Sequence, residues 1–367
     1  MDSTGKFSVR SLTLHVDRRG LEERGWDYVE ELAVRLADAK DLVLSEGFEV
    51  FTARITLPDG GLELLEEASE AADRLAGESI IVSLGYVSRV TESVEESVME
   101  AARSGLYLAL QLEDFSWDPA RRISRLLHRL AGEDPGMAAK VAVNVLGRPL
   151  VTPYYPLSWS PGDRLRLSVS LTYPSYLAQA YRSEGLRGLE KAVRAAAATA
   201  TRLGARASEA LGATFEGVDL SVAPWMEDST LGLAEMVAGV RMPSPGFAVG
   251  VSLVNKAIRE ASSGYKVTGF NEVQLPVGED LKLKARVSEG DVRARDLARL
   301  AGACVAGLDL AVVPHDVDGV AGLILETAAY AIAKGKPLGV RIIPVEGVEP
   351  GDRVRVGMFG DTPVIGI

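Results

Sequence analysis

The sequence predicts an α/β fold built on a largely parallel sheet, either open or closed into a barrel. Three observations carry that expectation. Strand-length and helix-length apolar patterns alternate along nearly the whole chain, as β-α-β units require. No Ser/Gly-rich or charge-rich linker divides the 367 residues, so residues 1–367 read as a single domain. One unit also echoes: Gly217–Pro224 is GVDLSVAP and Gly307–Pro314 is GLDLAVVP, each after an Ala-rich helix and ahead of an acidic loop.

Apolar runs with period-two alternation predict ten strands. They are Val9–Val16, Glu49–Leu57, Ile80–Gly85, Leu106–Leu112, Val141–Leu146, Arg164–Thr172, Val218–Ala223, Val267–Val277, Leu308–Val313 and Leu338–Ile343. Helical periodicity places helices between most of them, at Tyr28–Leu44, Leu62–Leu75, Val94–Ala102, Pro119–Leu130, Leu186–Leu211, Leu231–Ala238, Val249–Ala261, Val292–Val305 and Val320–Ala333. Between the fifth and sixth strands, GRPLVTPYYPLSWSPGD (147–163) carries four prolines that forbid a long helix. Its Tyr154, Tyr155 and Trp159 read as a lid, an interface patch or plain packing.

Composition narrows the function classes. Lys+Arg 40 against Asp+Glu 51 gives a net charge of -11, with no basic block to hold nucleic acid or an anionic membrane. No run has the length of a membrane span, the N-terminal MDSTGKFSVR lacks an apolar signal core, and a cytoplasmic location is expected. One cysteine, Cys304, excludes a disulfide framework and a zinc ribbon or iron–sulfur cluster held by this chain alone. Six amides in all, with 30 Arg against 10 Lys, read as a thermophile's composition.

The strand faces carry the functional expectation. Alternate residues of a strand point to opposite sides, and one side of these strands is apolar. The other side carries Thr13, His15, Arg54, Gln111, Glu113, Asn144, Ser170, Asp219, Ser221, Glu272, Gln274, Asp309 and Arg341. A buried polar group without a partner costs roughly 1–3 kcal/mol. That face must therefore meet water, a ligand or a dense hydrogen-bond network, and in a closed sheet it lines a lumen.

Phosphate-loop, nucleophile-elbow and H-E-x-x-H motifs are absent. His128 reads as a surface residue of a basic amphipathic helix. His315, beside Asp316 and Asp318 in VVPHDVDG, reads as a proton shuttle or a divalent-cation site, or else as a helix N-terminus with acids near its positive end. Glu227–Ser229, after the other echo strand, carries a weaker version of the same pattern.

The C-terminal stretch GLDLAVVPHDVDGVAGLILETAAYAIAKGKPLGVRIIPVEGVEPGDRVRVGMFGDTPVIGI, with GVDLSVAP at Gly217, QLPVGED at Gln274 and PYYPLSW at Pro153, resembles the uncharacterised protein family 0210 (domain of unknown function family 711). The resemblance runs in outline from Val9 onward and is firmest over the C-terminal part; this chain is shorter than typical members. It implies the fold of the pyruvate formate-lyase-like glycyl radical enzymes, a ten-stranded α/β barrel of two five-stranded parallel halves, and it implies no particular reaction. It also implies a small ACT-domain protein as a partner. The radical machinery is not expected. Gly360 in VGMFGDTPV is the formal radical position, but Asp361 replaces the aromatic residue of the RVxGY-like loop, and Cys304 reads as a small core hydrophobe.

The resulting expectation is an enzyme acting on a small polar or anionic metabolite in the lumen, by carboxylate acid/base or metal-assisted chemistry. Asp219, Glu272, Asp309 and His315 are its candidate catalytic residues. Arg54, Gln111, Asn144, Ser221, Gln274 and Arg341 are its substrate-binding candidates, with Arg54 and Arg341 clamping a carboxylate or phosphate. Asp316 and Asp318 are the candidate ligands of a divalent cation. The alternative is a metabolite-binding regulator without catalysis. A homodimer is expected through Leu186–Leu211, whose Ala195, Ala196, Ala197 and Ala198 run all round the helix.

Overall fold

Ser8–His15 (β1), Val50–Thr56 (β2), Ile80–Val87 (β3), Tyr107–Gln111 (β4) and Val141–Asn144 (β5) pair in parallel in that order. The structure, a computed structural model, describes residues 7–367, Ala306 by its backbone alone. Helices Arg18–Ser45 (α1), Leu65–Gly77 (α2) and Glu92–Arg103 (α3) link the first four strands. Trp117–Glu133 (α4) and the single turn Pro135–Ala138 (α5) lead into β5.

Arg166–Thr172 (β6) then lies antiparallel to β1, and Thr214–Asp219 (β7), reached through Pro174–Leu211 (α6), lies parallel to β6. Thr230–Ala238 (α7), Phe247–Ser262 (α8), Gln274–Pro276 (β8), Leu281–Ser288 (α9), Ala294–Leu300 (α10) and Ala306–Asp309 (β9) follow, with β8 and β9 paired in parallel. Ala311–Pro314 (β10), Val317–Lys334 (α11), Gly339–Val340 (β11) and Ile342–Val345 (β12) come next, then the antiparallel pair Arg353–Arg355 (β13) and Asp361–Pro363 (β14).

The result is an eight-stranded mixed sheet, β11-β5-β4-β3-β2-β1-β6-β7, beside three two-stranded pairs. Backbone bonds run between these pieces. Val222 donates to Glu272 and Gln274 donates to Val222, while Arg341 donates to Leu308 and Ala311 to Arg341.

The apolar strand face carries the core: Leu12, Leu14, Ile55, Leu108, Leu110 and Val169 are fully buried. Helix ends follow from local chemistry. Asp17, Asp280 and Asp316 accept backbone N–H bonds at the starts of α1, α9 and α11, and left-handed glycines Gly212 and Gly335 end α6 and α11.

Several expected elements differ. Val267–Val277 is a strand only over Gln274–Pro276, because Gly269 and Asn271 take left-handed φ values of 74° and 54°. Leu308–Val313 breaks at Leu310, with φ of 47°, into β9 and β10. The helix expected over Val292–Val305 spans only Ala294–Leu300, and α9 has no counterpart among the expected helices. Helix α6 packs on α1, α8 and the sheet of its own chain. Only Ala196 and Ala197 of its four-alanine run are buried; Ala195 and Ala198 are exposed.

Candidate functional site

Much of the polar strand face packs against the segment joining β5 to β6. An irregular segment buried in a protein must find partners for its backbone N–H and C=O groups. Here the polar strand residues supply them. Arg54 donates to the Pro153 carbonyl at 2.7 Å, Tyr86 to Leu157 at 2.8 Å, and Thr268 to Val151 at 2.6 Å. His15 contacts the Trp159 carbonyl through Nδ1 at 2.9 Å and the Ser168 hydroxyl through Nε2 at 2.7 Å. With the proton on Nδ1 both bonds are satisfied. Burial holds this imidazole neutral, lowering its pKa to about 3.

A cavity of about 50 Å³ remains beside that segment, large enough for a few waters or a small ligand. Arg10, Arg54, Arg341, Glu279 and Tyr107 line it, with Tyr154, Tyr155, Trp225, Phe51 and Phe359 as aromatic walls. Arg341 grips Asp309 with two bonds of 2.7 and 3.0 Å and reaches Glu279 at 3.3 Å. Glu279 also pairs with Arg10. Burial works against the Arg341 charge, but the Asp309 and Glu279 carboxylates hold its pKa above the ordinary arginine value.

Arg54 has a different environment. Besides Pro153 it donates to Thr52 Oγ1 at 2.9 Å, and no carboxylate among the described residues lies within ion-pair distance. Burial and the neighbouring Arg10 charge push its pKa down to about 10, so it stays charged at neutral pH. Arg10, 4% exposed, leaves its Nε without a hydrogen-bond partner among the described residues. Three guanidiniums thus stand with two carboxylates, and the Arg54 charge has no acidic partner among the described residues.

Of the residues predicted from sequence, Arg54 and Arg341 line this cavity, and Asp309 reaches it only through its pair with Arg341. The others have separate tasks. Asp219 accepts the N–H groups of Ser221, Phe270 and Asn271 and the hydroxyls of Ser221 and Thr152, folding the 268–272 segment onto β7. Burial still raises its pKa against those bonds. Glu272 pairs with Lys334 and Lys336. Asn144 donates to Gln111 at 2.7 Å, tying β5 to β4. Gln274 is buried in β8 and its side chain makes no hydrogen bond to the described residues. His315 is exposed and stacks edge-on against His128, which is buried rather than at the surface, with ring centres 4.3 Å apart. Asp316 caps α11 and Asp318 pairs with Arg121. Among the described residues no three His, Cys, Asp or Glu side chains cluster closely enough to hold a metal.

Sequence reasoning missed Arg10, Glu279, Tyr107 and Phe359. Arg10 falls on the apolar side by simple alternation, but the β1–β6 register shifts between Val9 and Ser11, and such an irregularity re-aims a side chain. Glu279 stands in the turn after β8, inside the quoted QLPVGED motif. Its short spacing from Gln274 was the available signal.

Comparison with known proteins identifies the family. The family model described as "Uncharacterised ACR (DUF711)" matches residues 3–357. A UPF0210 protein of Pyrobaculum arsenaticum is 30% identical over 92% of this chain and 83% of its own length. One from Methanopyrus kandleri is 28% identical over 83% of this chain and 73% of its own. Among solved structures, the anaerobic ribonucleotide reductase from Thermotoga maritima is similar with a TM-score of 0.49 and 9% identity, covering 91% of this chain and 79% of that one. The chain belongs to the DUF711 (UPF0210) family.

Proposed function

We propose that this chain binds a small anionic metabolite in the arginine-lined cavity and acts on it as an enzyme. The observation that carries the reading is the charge imbalance, three buried guanidiniums against two carboxylates with the Arg10 Nε unbonded. A buried, unpaired cation is expensive, and an anion between Arg10 and Arg54 would offset that cost. The fold reading that goes with it is a ten-stranded barrel. Two parallel halves, β1–β5 and β6-β7-β8-β9-β11, would meet through the antiparallel β1–β6 and β5–β11 pairs, supported by the Val222–Glu272 and Arg341–Leu308 backbone bonds.

Tyr107 carries the hydroxyl placed to meet the ligand. Its hydroxyl makes no hydrogen bond to the described residues, and the residue lines the cavity. Burial raises the phenol's pKa, while the Arg341 and Arg54 charges pull it partly back. It thus keeps its proton at neutral pH and can donate a hydrogen bond to an oxygen of the bound anion, orienting it for the reaction. Asp309 would orient Arg341 through its two bonds.

The test is thermal shift and calorimetry of the full chain against small carboxylates, phosphate and amino acids. A stabilising anion whose effect vanishes in Arg54→Met supports the site. No response to any anion at millimolar concentration would overturn it. Turnover of the stabilising compound followed by NMR separates an enzyme from a metabolite-binding regulator.

A further inference from the structure

We infer that the ligand of this cavity is a monocarboxylate with a short apolar tail, and that Phe359, positioned by Lys284, limits the length of that tail. The inference rests on the anion-binding reading above and narrows it. The buried guanidiniums select an anionic head group. Arg10, Arg54 and Arg341 line the cavity with one carboxylate, Glu279, while Asp309 pairs with Arg341 from outside the lining. A carboxylate has the planar two-oxygen face that guanidinium N–H groups match.

The walls select the tail. The aromatic rings of Tyr154, Trp225, Phe51 and Phe359 bound the cavity beside the arginines, a narrow space of about 50 Å³. Phe359 packs edge-on against Trp225 at 6.2 Å and lies 5.8 Å from the Arg341 guanidinium carbon. It is 7% exposed, whereas its neighbour Met358, which also lines the cavity, is 56% exposed, so Phe359 forms the buried part of the wall and Met358 its solvent-facing part.

That turn is held by a built contact. Gly357 and Gly360 flank it with φ of 44° and 67°, values that favour glycine. The Lys284 ammonium donates to the Phe359 carbonyl at 2.6 Å. Lys284 is 6% exposed and has no ion pair among the described residues. A buried ammonium bonded to one carbonyl fixes the turn's position, and with it the wall that Phe359 forms. Lys284 is therefore a positioning residue, acting through Phe359.

The test measures affinity of the full chain for sodium acetate, butyrate, hexanoate and inorganic phosphate by calorimetry. Wild type should favour acetate and butyrate over hexanoate by at least tenfold, and over phosphate. Phe359→Ala should move the preference toward hexanoate by at least tenfold, since each accommodated methylene is worth roughly fourfold. Phe359→Leu, a milder change, should move it the same way. Lys284→Met should flatten the length profile and Lys284→Arg restore it, a pattern that loss of stability alone would not give. If carboxylates bind but the length profile is the same in wild type, Phe359→Ala and Phe359→Leu, the inference fails and the anion site stands. Phosphate binding more tightly than the carboxylates would overturn the ligand class alone. If no anion binds wild type, both readings fall.

Discussion

Arg54 and Glu279 sit in one cavity, yet their removal should have opposite consequences. Arg54 has only neutral oxygens as partners, so Arg54→Met gives up two hydrogen bonds and relieves an unpaired buried charge. Its stability should stay within about 1 kcal/mol of wild type while anion binding is lost. Glu279→Leu strands Arg10, whose only carboxylate partner among the described residues is Glu279, and should cost about 3–5 kcal/mol in urea unfolding. A third prediction concerns pH. The unfolded His15 imidazole takes up a proton near pH 6.5 and the folded one only near 3. Between those values the unfolded state binds more protons, so stability falls as pH falls. At pH 4.5 wild type should have lost about 3 kcal/mol more than His15→Gln, relative to pH 7. Equal losses would show that His15 is not buried neutral. Arg54 and Arg341 were legible from sequence because a charged residue at an inward strand position stands out. Arg10 was not, since one register shift is enough to reverse its side of the strand.

At the scale of elements, the first six strands were legible because each keeps its alternation over the whole length. The later ones were less so, and Asp219 shows why. Its carboxylate gathers the N–H groups of Phe270 and Asn271, and Gly269 approaches so closely that an added Cβ would lie 2.1 Å from Asp219 Oδ2. A side chain at the end of β7 thus overrides the strand propensity of Val267–Val277, a long-range effect that no local pattern records. Asp219→Ala should cost on the order of 3 kcal/mol by leaving buried donors unpaired. It should change anion affinity less than twofold. Loss of binding with unchanged stability would instead return Asp219 to the site. Likewise α9 escaped notice because LKLKARVS alternates apolar and basic residues at its start, a strand-like pattern, while its Asp280 cap binds Lys282 and Leu283.

For the whole molecule, the segment 147–163 was legible as a loop with four prolines, but not as interior structure. Nothing local distinguishes a proline-rich surface loop from one whose carbonyls meet an arginine and several hydroxyls contributed by distant strands. Its bonds reach both parts of the chain. Pro153 receives Arg54 and Tyr155 donates to Ile55 on one side, while Thr152 donates to Asp219 and Tyr154 to Ser221 on the other. The strands themselves meet through β1–β6, a pairing that runs nearly the length of both. Neither part therefore completes its interior without the other, and the segment cannot leave without costing Arg54 its Pro153 bond and His15 its Trp159 bond. The chain should unfold as one cooperative unit despite its 367 residues. Tryptophan fluorescence samples Trp26, Trp117, Trp159 and Trp225, spread over both parts, and should change at the same denaturant concentration as far-ultraviolet circular dichroism. Two separated transitions would mean that β1–β5 with its helices is stable alone. The 147–163 segment would then be a linker between parts and not their shared core.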